Sequence, residues 1–142
     1  MTRAMLAAVL YRQAGSPERA GPGLEEYGDG TAVPAWAASA MCWAVQQGLL
    51  NGDNGELRPN DAVGRQALAV ILYRRAGSPA VGGMALSGYE DGAAVASWAK
   101  RGMTWAVERG ILTGDTAGRL NPAGSATRAE VAAVFLRYAS LQ

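Results

Sequence analysis

The stretch TRAMLAAVLYRQAGSP at residues 2–17 returns without a gap as GRQALAVILYRRAGSP at 64–79, and a third version, TRAEVAAVFLRYAS, occupies 127–140. A second stretch, LEEYGDGTAVPAWAASAMCWAVQQGLLNGD at 24–53, returns as LSGYEDGAAVASWAKRGMTWAVERGILTGD at 86–115. Self-similarity at a fixed spacing is the signature of proteins built from stacked, similar units. The sequence therefore predicts a repeat protein with three copies of one segment and two of the other, so that the first repeat is only half present.

Each complete unit has the pattern of a helix, a loop and a second helix. The first helix is predicted over about Val33 to Gln47, where apolar residues recur at helical spacing. Gly48 and its counterpart Gly110 follow, where a left-handed residue would close the helix. The second helix is predicted to start near the arginine of each copy: Arg3, Arg65 and Arg128. Helices this short must stack to bury their apolar faces, so the predicted fold class is all-α.

The repeats also set the predicted domain organisation. Residues 1–17 form the C-terminal half of a first repeat, 24–79 a second repeat and 86–142 a third, together making one compact domain. The stretches 15–28 and 77–90, rich in Gly, Pro and Ala, are predicted to link the units.

Composition excludes several classes of function. Thirteen Lys and Arg against twelve Asp and Glu give a net charge of +1, which argues against nucleic-acid binding because phosphate affinity needs clustered positive charge. The chain has no histidine, which excludes Ser-His and Cys-His catalysis and histidine-ligated zinc. The lone Cys42 is predicted to be a small buried residue. No apolar run approaches the length of about 20 residues that a membrane span needs, and Met1 does not open a signal peptide.

Several motifs occur together in a recognisable order. An aspartate (Asp29 or Asp91) precedes a tryptophan, then Trp-Ala-Val-x-x-Gly, a Gly-Asp turn, a proline, and Thr-Arg-Ala-Glu at the start of a helix. This combination resembles the S-layer homology repeat, in the form common in clostridial relatives. The resemblance implies three repeats in a pseudo-threefold helical bundle that anchors exported proteins non-covalently. It further implies binding to a peptidoglycan-linked secondary cell wall polymer, often pyruvylated, in grooves between repeats, at the cell surface, with no cofactor.

In that family the arginine of the Thr-Arg-Ala-Glu motif is a main glycan contact. The third copy keeps the motif whole, whereas the copies around Arg3 and Arg65 lose one or both capping residues. An arginine in the first turn lies at the positive end of the helix dipole, which is unfavourable for a cation. An arriving anion such as a ketal carboxylate would offset this unfavourable interaction. The alternative is pairing with an aspartate of a neighbouring repeat. The aspartates considered are Asp29, Asp53, Asp91 and Asp115.

The other candidate ligand-binding residues each have a structural interpretation beside the functional one. Thr2 and Thr127 are helix-capping positions, and Thr127 with Glu130 forms a capping box. The tryptophans are sugar-stacking platforms or core residues; they are Trp36, Trp43, Trp98 and Trp105. Asp29 and Asp91 are turn or capping residues, or acceptors for sugar hydroxyls. Gly52 and Gly114 complete the set, in the Gly-Asp turns. These turns lack the alternating oxygen ligands of a calcium loop, so no metal site is predicted.

Two other functions compete with wall anchoring. The missing half-repeat could leave an apolar face open around Leu6, Val9 and Leu10, which predicts assembly by dimerisation or by a partner segment. A hydrolase would need two convergent carboxylates, and the acidic residues fall in turns and on solvated faces. The sequence therefore predicts a binding module for a cell wall polysaccharide rather than an enzyme.

Overall fold

The computed structural model describes residues 1–18, 23–52 and 54–141, and its helices are joined there by loops and turns. The α-helices are α1 (Arg3–Gln13), α2 (Ala38–Gln46), α3 (Arg65–Arg75), α4 (Lys100–Glu108) and α5 (Arg128–Ala139). Extended pairing in the described residues amounts to two isolated antiparallel bridges, Thr2 with Ala62 and Gly64 with Ser125. The all-α prediction is confirmed, and each arginine named above opens its helix as predicted.

The chain divides into two compact units, Met1–Val63 and Gly64–Gln142. The division falls inside the second sequence repeat, between its loop and its second helix. In the first unit α1 packs against α2, and in the second unit α3 packs against α4. The second helix of one sequence copy therefore packs on the first helix of the following copy, and the structural unit is offset from the repeat seen in the sequence.

Of the three residues predicted to form an open apolar face on the first copy, Leu6 and Leu10 are buried, whereas Val9 is half-buried. Leu6 and Leu10 have no exposed surface, and Ala7 between them is equally buried. The helix that carries them packs against α2, so the missing half-repeat does not expose these residues. Cys42, on α2, is 1% exposed, which confirms its predicted burial.

The first helix of each complete sequence repeat, α2 or α4, starts later than the apolar spacing predicts. A 3-10 turn at Ala35–Ala37 precedes α2, and Val33 and Pro34 are extended. Proline fixes its own φ and disfavours the helical region for the residue before it, so the helix starts after Pro34. The third copy has the same arrangement without a proline, because the backbone N–H of Ala96 donates to the side chain of Gln66 over 3.0 Å.

Glycine ends the helices as predicted. Gly48 and Gly110 have φ of +70° and +69°, and the N–H of the residue after each donates five residues back, to Ala44 and Ala106. These bonds satisfy carbonyls that a helix end otherwise leaves without partners. The predicted linker 15–28 includes residues 19–22, which lie outside the described part of the chain.

Candidate functional site

Two aspartates hold the Gly-Asp loops in place. The carboxylate of Asp91 accepts hydrogen bonds from the backbone N–H groups of Leu120 and Asn121, both at 2.8 Å. Asp29 accepts equivalent bonds from the N–H groups of Leu57 and Arg58, at 2.7 and 2.8 Å. Neither side chain caps the 3-10 turn that follows it, which corrects the capping interpretation. Each aspartate instead links its own turn to a loop that lies about 30 residues later in the sequence.

Charge-assisted bonds of this kind favour the ionised carboxylate. The bond from Leu57 holds the pKa of Asp29 below its usual value, and the bond from Leu120 does the same for Asp91. Asp115 also has a lowered pKa, because its Oδ1 accepts from the N–H groups of Arg119 and Ala117. Its counterpart Asp53 lies outside the described residues.

The arginine that opens α3 forms a bidentate ion pair. Nε of Arg65 donates to Oε2 of Glu130 and Nη2 donates to Oε1, each at 2.7 Å. The bond to Arg65 is the main cause of the lowered pKa of Glu130. The alternative to ligand binding was pairing with an aspartate; the structure instead pairs Arg65 with the glutamate of the Thr-Arg-Ala-Glu motif in the next copy.

Arg65 lies in a cleft of about 280 Å³ within the second unit. The loop side of the cleft is formed by Leu112–Asp115 and Arg119–Asn121, and the helix side by residues of α5. Arg119 and Arg137 place two more guanidinium groups in its lining. Three arginines against the carboxylates of Asp115 and Glu130 leave the lining with an excess of positive charge.

The first unit repeats part of this arrangement around Arg3. Its Nε donates to the carbonyl O of Leu57 at 2.9 Å, and its Nη2 donates to the carbonyl O of Asn51 at 3.2 Å. Both acceptors belong to the Gly-Asp loop of the second copy. In each unit, then, the motif arginine of one copy contacts the loop of the next.

The capping interpretation of the threonines is confirmed. The hydroxyl of Thr127 accepts from the N–H of Glu130 at 3.1 Å, and the hydroxyl of Thr2 accepts from the N–H of Met5 at 3.2 Å. Arg128 opens α5 on the exposed surface and is not among the residues lining the 280 Å³ cleft.

The four tryptophans divide into two classes. Trp43 and Trp105 are 8% and 3% exposed and pack on Tyr11 and Tyr73, with ring centroids 5.7 and 5.8 Å apart. They are core residues, which corrects their inclusion as candidate ligand contacts. Trp36 and Trp98 lie in the 3-10 turns and are 59% and 61% exposed, so their rings remain available to a ligand. Neither lines the 280 Å³ cleft.

The glycines of the Gly-Asp turns are required by packing. A Cβ atom on Gly114 would lie 2.6 Å from Cε1 of Tyr89, and one on Gly52 would lie 2.8 Å from Cε1 of Tyr27. Gly114 also lines the cleft, so the close approach of the tyrosine ring helps to shape that wall.

Two arginines of the cleft, Arg119 and Arg137, were not singled out from the sequence. An arginine occurs at the position of Arg137 in the other two copies as well, as Arg74 and Arg12. This recurrence could have identified Arg137 as a candidate site residue. Its Nη1 donates to the carbonyl O of Ile111 at 3.2 Å. Arg119 gave no such signal, because the aligned residue in the second copy is Glu56.

Across the described residues, no group of three or more Cys, Asp or Glu side chains could hold a metal ion. No helix in the described part is long and apolar enough to cross a membrane.

Two curated proteins are similar in sequence to this chain. The chain is 30% identical over 138 residues to the exoglucanase XynX of Acetivibrio thermocellus, which covers 95% of this chain and 12% of that protein. It is 30% identical over 103 residues to an amylopullulanase of Thermoanaerobacterium thermosulfurigenes, covering 70% of this chain and 6% of that protein. The chain thus spans only a small part of either relative.

A solved structure supports the fold. The undecaheme cytochrome from the S-layer of Carboxydothermus ferrireducens matches 94% of this chain and 20% of its own with a TM-score of 0.52 and 24% identity. The family described as S-layer homology domain matches residues 26–69 and 88–132, which is more than half of the chain. The chain therefore belongs to the S-layer homology domain family of cell-wall anchoring modules, which places it at the cell surface.

Proposed function

We propose that this chain anchors a larger protein by binding an acidic secondary cell wall polymer, and that the second unit binds it in the cleft around Arg65. The observation that carries the proposal is the convergence of Arg65, Arg119 and Arg137 on one cleft. Guanidinium groups bind carboxylates with two parallel hydrogen bonds, so such a cleft suits an acidic sugar.

The acidic side chains of the cleft are already engaged by the protein. Asp115 accepts two backbone N–H groups and the side-chain amide of Asn121. Glu130 accepts hydrogen bonds from Arg65, and this pairing lowers the pKa of Glu130. By contrast, Arg119 pairs with Glu90 only at 3.4 Å and on the exposed surface, where ion pairs contribute little. An incoming anion can therefore recruit this arginine at small cost.

The size of the cleft suits a small part of a polymer. Its volume of about 280 Å³ lies just below the roughly 300–1,000 Å³ of pockets that enclose drug-sized molecules. We infer that one acidic sugar residue, such as a pyruvylated one, enters the cleft and that the rest of the polymer runs over the surface. The exposed ring of Trp98, in the same unit as the cleft, offers a stacking face for another sugar.

Co-sedimentation with cell-wall sacculi tests the proposal, before and after chemical removal of the secondary polymer. We expect the chain to bind native sacculi and not stripped ones. Arg65→Ala should weaken binding about tenfold or more, since a hydrogen bond between charged groups is lost. Arg109→Ala is the matched control, because this exposed arginine does not line the cleft. Equal binding to both wall preparations would contradict the proposal.

A further inference from the structure

One edge of the Arg65 guanidinium is held by the protein. A guanidinium carries five N–H donors, on Nε, Nη1 and Nη2. Glu130 takes the edge formed by Nε and Nη2, with both bonds at 2.7 Å. The side chains of Arg65 and Glu130 are 24% and 39% exposed, so the pair is partly shielded from water. Two short bonds on one edge fix the plane of the whole group.

The opposite edge is formed by Nη1 and Nη2, and Arg65 itself lines the cleft. Nη1 also lies against Gly124. Nη1 lies 3.5 Å from the carbonyl O of Asn121, which is at the long limit for a hydrogen bond, and Asn121 itself lines the cleft. A carboxylate of the ligand can therefore bind the Nη1–Nη2 edge with two hydrogen bonds while Glu130 stays bound to the Nε–Nη2 edge.

We propose that Glu130 is a positioning residue, which fixes the Arg65 guanidinium so that its Nη1–Nη2 edge receives the carboxylate of an acidic sugar. The inference rests on the proposed function and adds to it the residue that orients the cation. The first unit supports it independently: Arg3 also uses Nε and Nη2 to contact the protein, through the carbonyls of Leu57 and Asn51. Two copies with different acceptors thus hold the same edge.

Glu130 also repels an incoming anion. Its net effect on binding therefore depends on whether this repulsion or the ordering of the Arg65 side chain is larger. Its carboxylate is partly exposed, and salt screens charges over about 8 Å at physiological ionic strength. Releasing the arginine would instead leave a long, rotamer-rich side chain to be ordered at every binding event. We therefore expect loss of Glu130 to weaken binding.

Glu130→Asp separates these effects, because it keeps the charge but is one methylene too short for both bonds. The probe is a methyl hexoside carrying a pyruvate ketal, titrated calorimetrically beside the same hexoside without the ketal. We expect Glu130→Asp and Glu130→Gln each to weaken binding of the ketal sugar about threefold to tenfold. Glu108→Gln on α4 removes the same charge away from Arg65 and should leave binding unchanged.

A double-variant cycle shows whether Glu130 acts through Arg65. In the Arg65→Ala background, Glu130→Gln should no longer weaken binding, whereas a weakening that comes from a separate structural role would persist there. The Nε–H NMR signal of Arg65 gives a readout without ligand: it should be protected from exchange in the wild type and lose protection in both Glu130 variants.

The outcomes separate the two proposals. A wild-type chain that binds the ketal sugar, with Glu130→Asp binding equally well or Glu130→Gln binding more tightly, would overturn the positioning role alone. A folded wild type that binds neither the ketal sugar nor wall material would overturn the proposed function.

Discussion

At the scale of single residues, the loops contain backbone conformations that few side chains favour. Arg58 and Asn121, at equivalent positions, have φ of +51° and +50°. Each donates its N–H to the aspartate that holds its loop. Asparagine tolerates this left-handed region because its short side chain can bond locally, whereas arginine is strained there. The strain at Arg58 persists because Asp29 fixes the loop.

Arg58→Asn should therefore raise the free energy of unfolding by about 1 kcal/mol. The ion pair between Arg58 and Glu56 is exposed and long, with 3.9 Å between Nε and Oε2, so removing that pair should cost little. Asn121→Arg is the reciprocal control and should destabilise by a similar amount. Urea unfolding at neutral pH measures both, and a destabilised Arg58→Asn variant would show that the arginine contributes contacts that outweigh the strain.

Gly114→Ala should destabilise the chain by about 1–3 kcal/mol, because overpacking displaces neighbouring groups. The added Cβ would lie 2.6 Å from the ring of Tyr89, which would have to move away from the cleft wall. Gly88→Ala is the control, since nothing lies within 4 Å of its added Cβ. Thermal unfolding compares the two, and equal melting temperatures would mean that the tyrosine ring shifts freely.

The sequence identified the tryptophans as important but did not show which tryptophan of each pair is exposed. Spacing predicts that Trp36 and Trp43 share a helix face, yet one is exposed and the other buried. The reason is that the α-helix starts at Ala38, so Trp36 precedes it. The partner of Arg65 was also beyond prediction, because it depends on packing between residues 65 positions apart.

At the scale of elements, the boundaries that follow from local chemistry were predictable. Helix starts at the motif arginines and left-handed glycines at helix ends depend on capping bonds within a few residues of the chain. The 3-10 turns before α2 and α4 were missed. In the third copy this turn depends on a bond from Ala96 to Gln66, and apolar spacing carries no information about such a contact.

The turn that follows α3 depends on a buried tyrosine. The hydroxyl of Tyr73 donates to the carbonyl O of Pro79 at 2.8 Å, and Tyr11 makes the same bond to Pro17 at 2.7 Å. Tyr73→Phe should cost about 1 kcal/mol of stability, the usual contribution of one such bond. Thermal unfolding, together with faster amide exchange after residue 75, would check this. Unchanged exchange there would show that Gly77 alone determines the turn.

The loops should respond to acid through their aspartates. Because Asp29 and Asp91 have lowered pKa values in the folded chain, their contribution is fully present above their ordinary pKa. It is lost as pH falls through the lowered values, below about pH 4. Asp91→Asn should thus lower the melting temperature at pH 7 and reduce its fall between pH 5 and 3. A variant with the wild-type acid dependence would place that dependence on other groups.

At the scale of the whole molecule, the sequence repeat and the structural unit differ. The repeat is visible in the sequence because each copy preserves the order of its segments along the chain. The compact units are instead defined by contacts in space, and there the second helix of one copy packs on the first helix of the next. The motif arginines Arg3 and Arg65 accordingly come from one copy, and the loop that each contacts comes from the following copy. Alignment alone could not reveal this offset, since it carries no record of which helix faces which.

The offset leads to a test with isolated units. Every residue that lines the 280 Å³ cleft lies within Gly64–Gln142, together with Asp91, which holds its loop. This unit also contains fully buried side chains of its own. They include Leu68, Leu72, Met103 and Ile111. We therefore expect residues 64–142, produced alone, to unfold cooperatively and to bind the ketal sugar within about threefold of the whole chain.

Circular dichroism melts and calorimetric titration would measure both properties, with Arg65→Ala in the same fragment as the control. Small domains bury a smaller fraction of their surface, so the fragment should melt at a lower temperature than the whole chain. A fragment that folds but does not bind would mean that residues before Gly64 contribute directly to recognition. A fragment that does not fold would mean that the second unit needs the first for its stability, as in repeat proteins whose units are stable only when stacked.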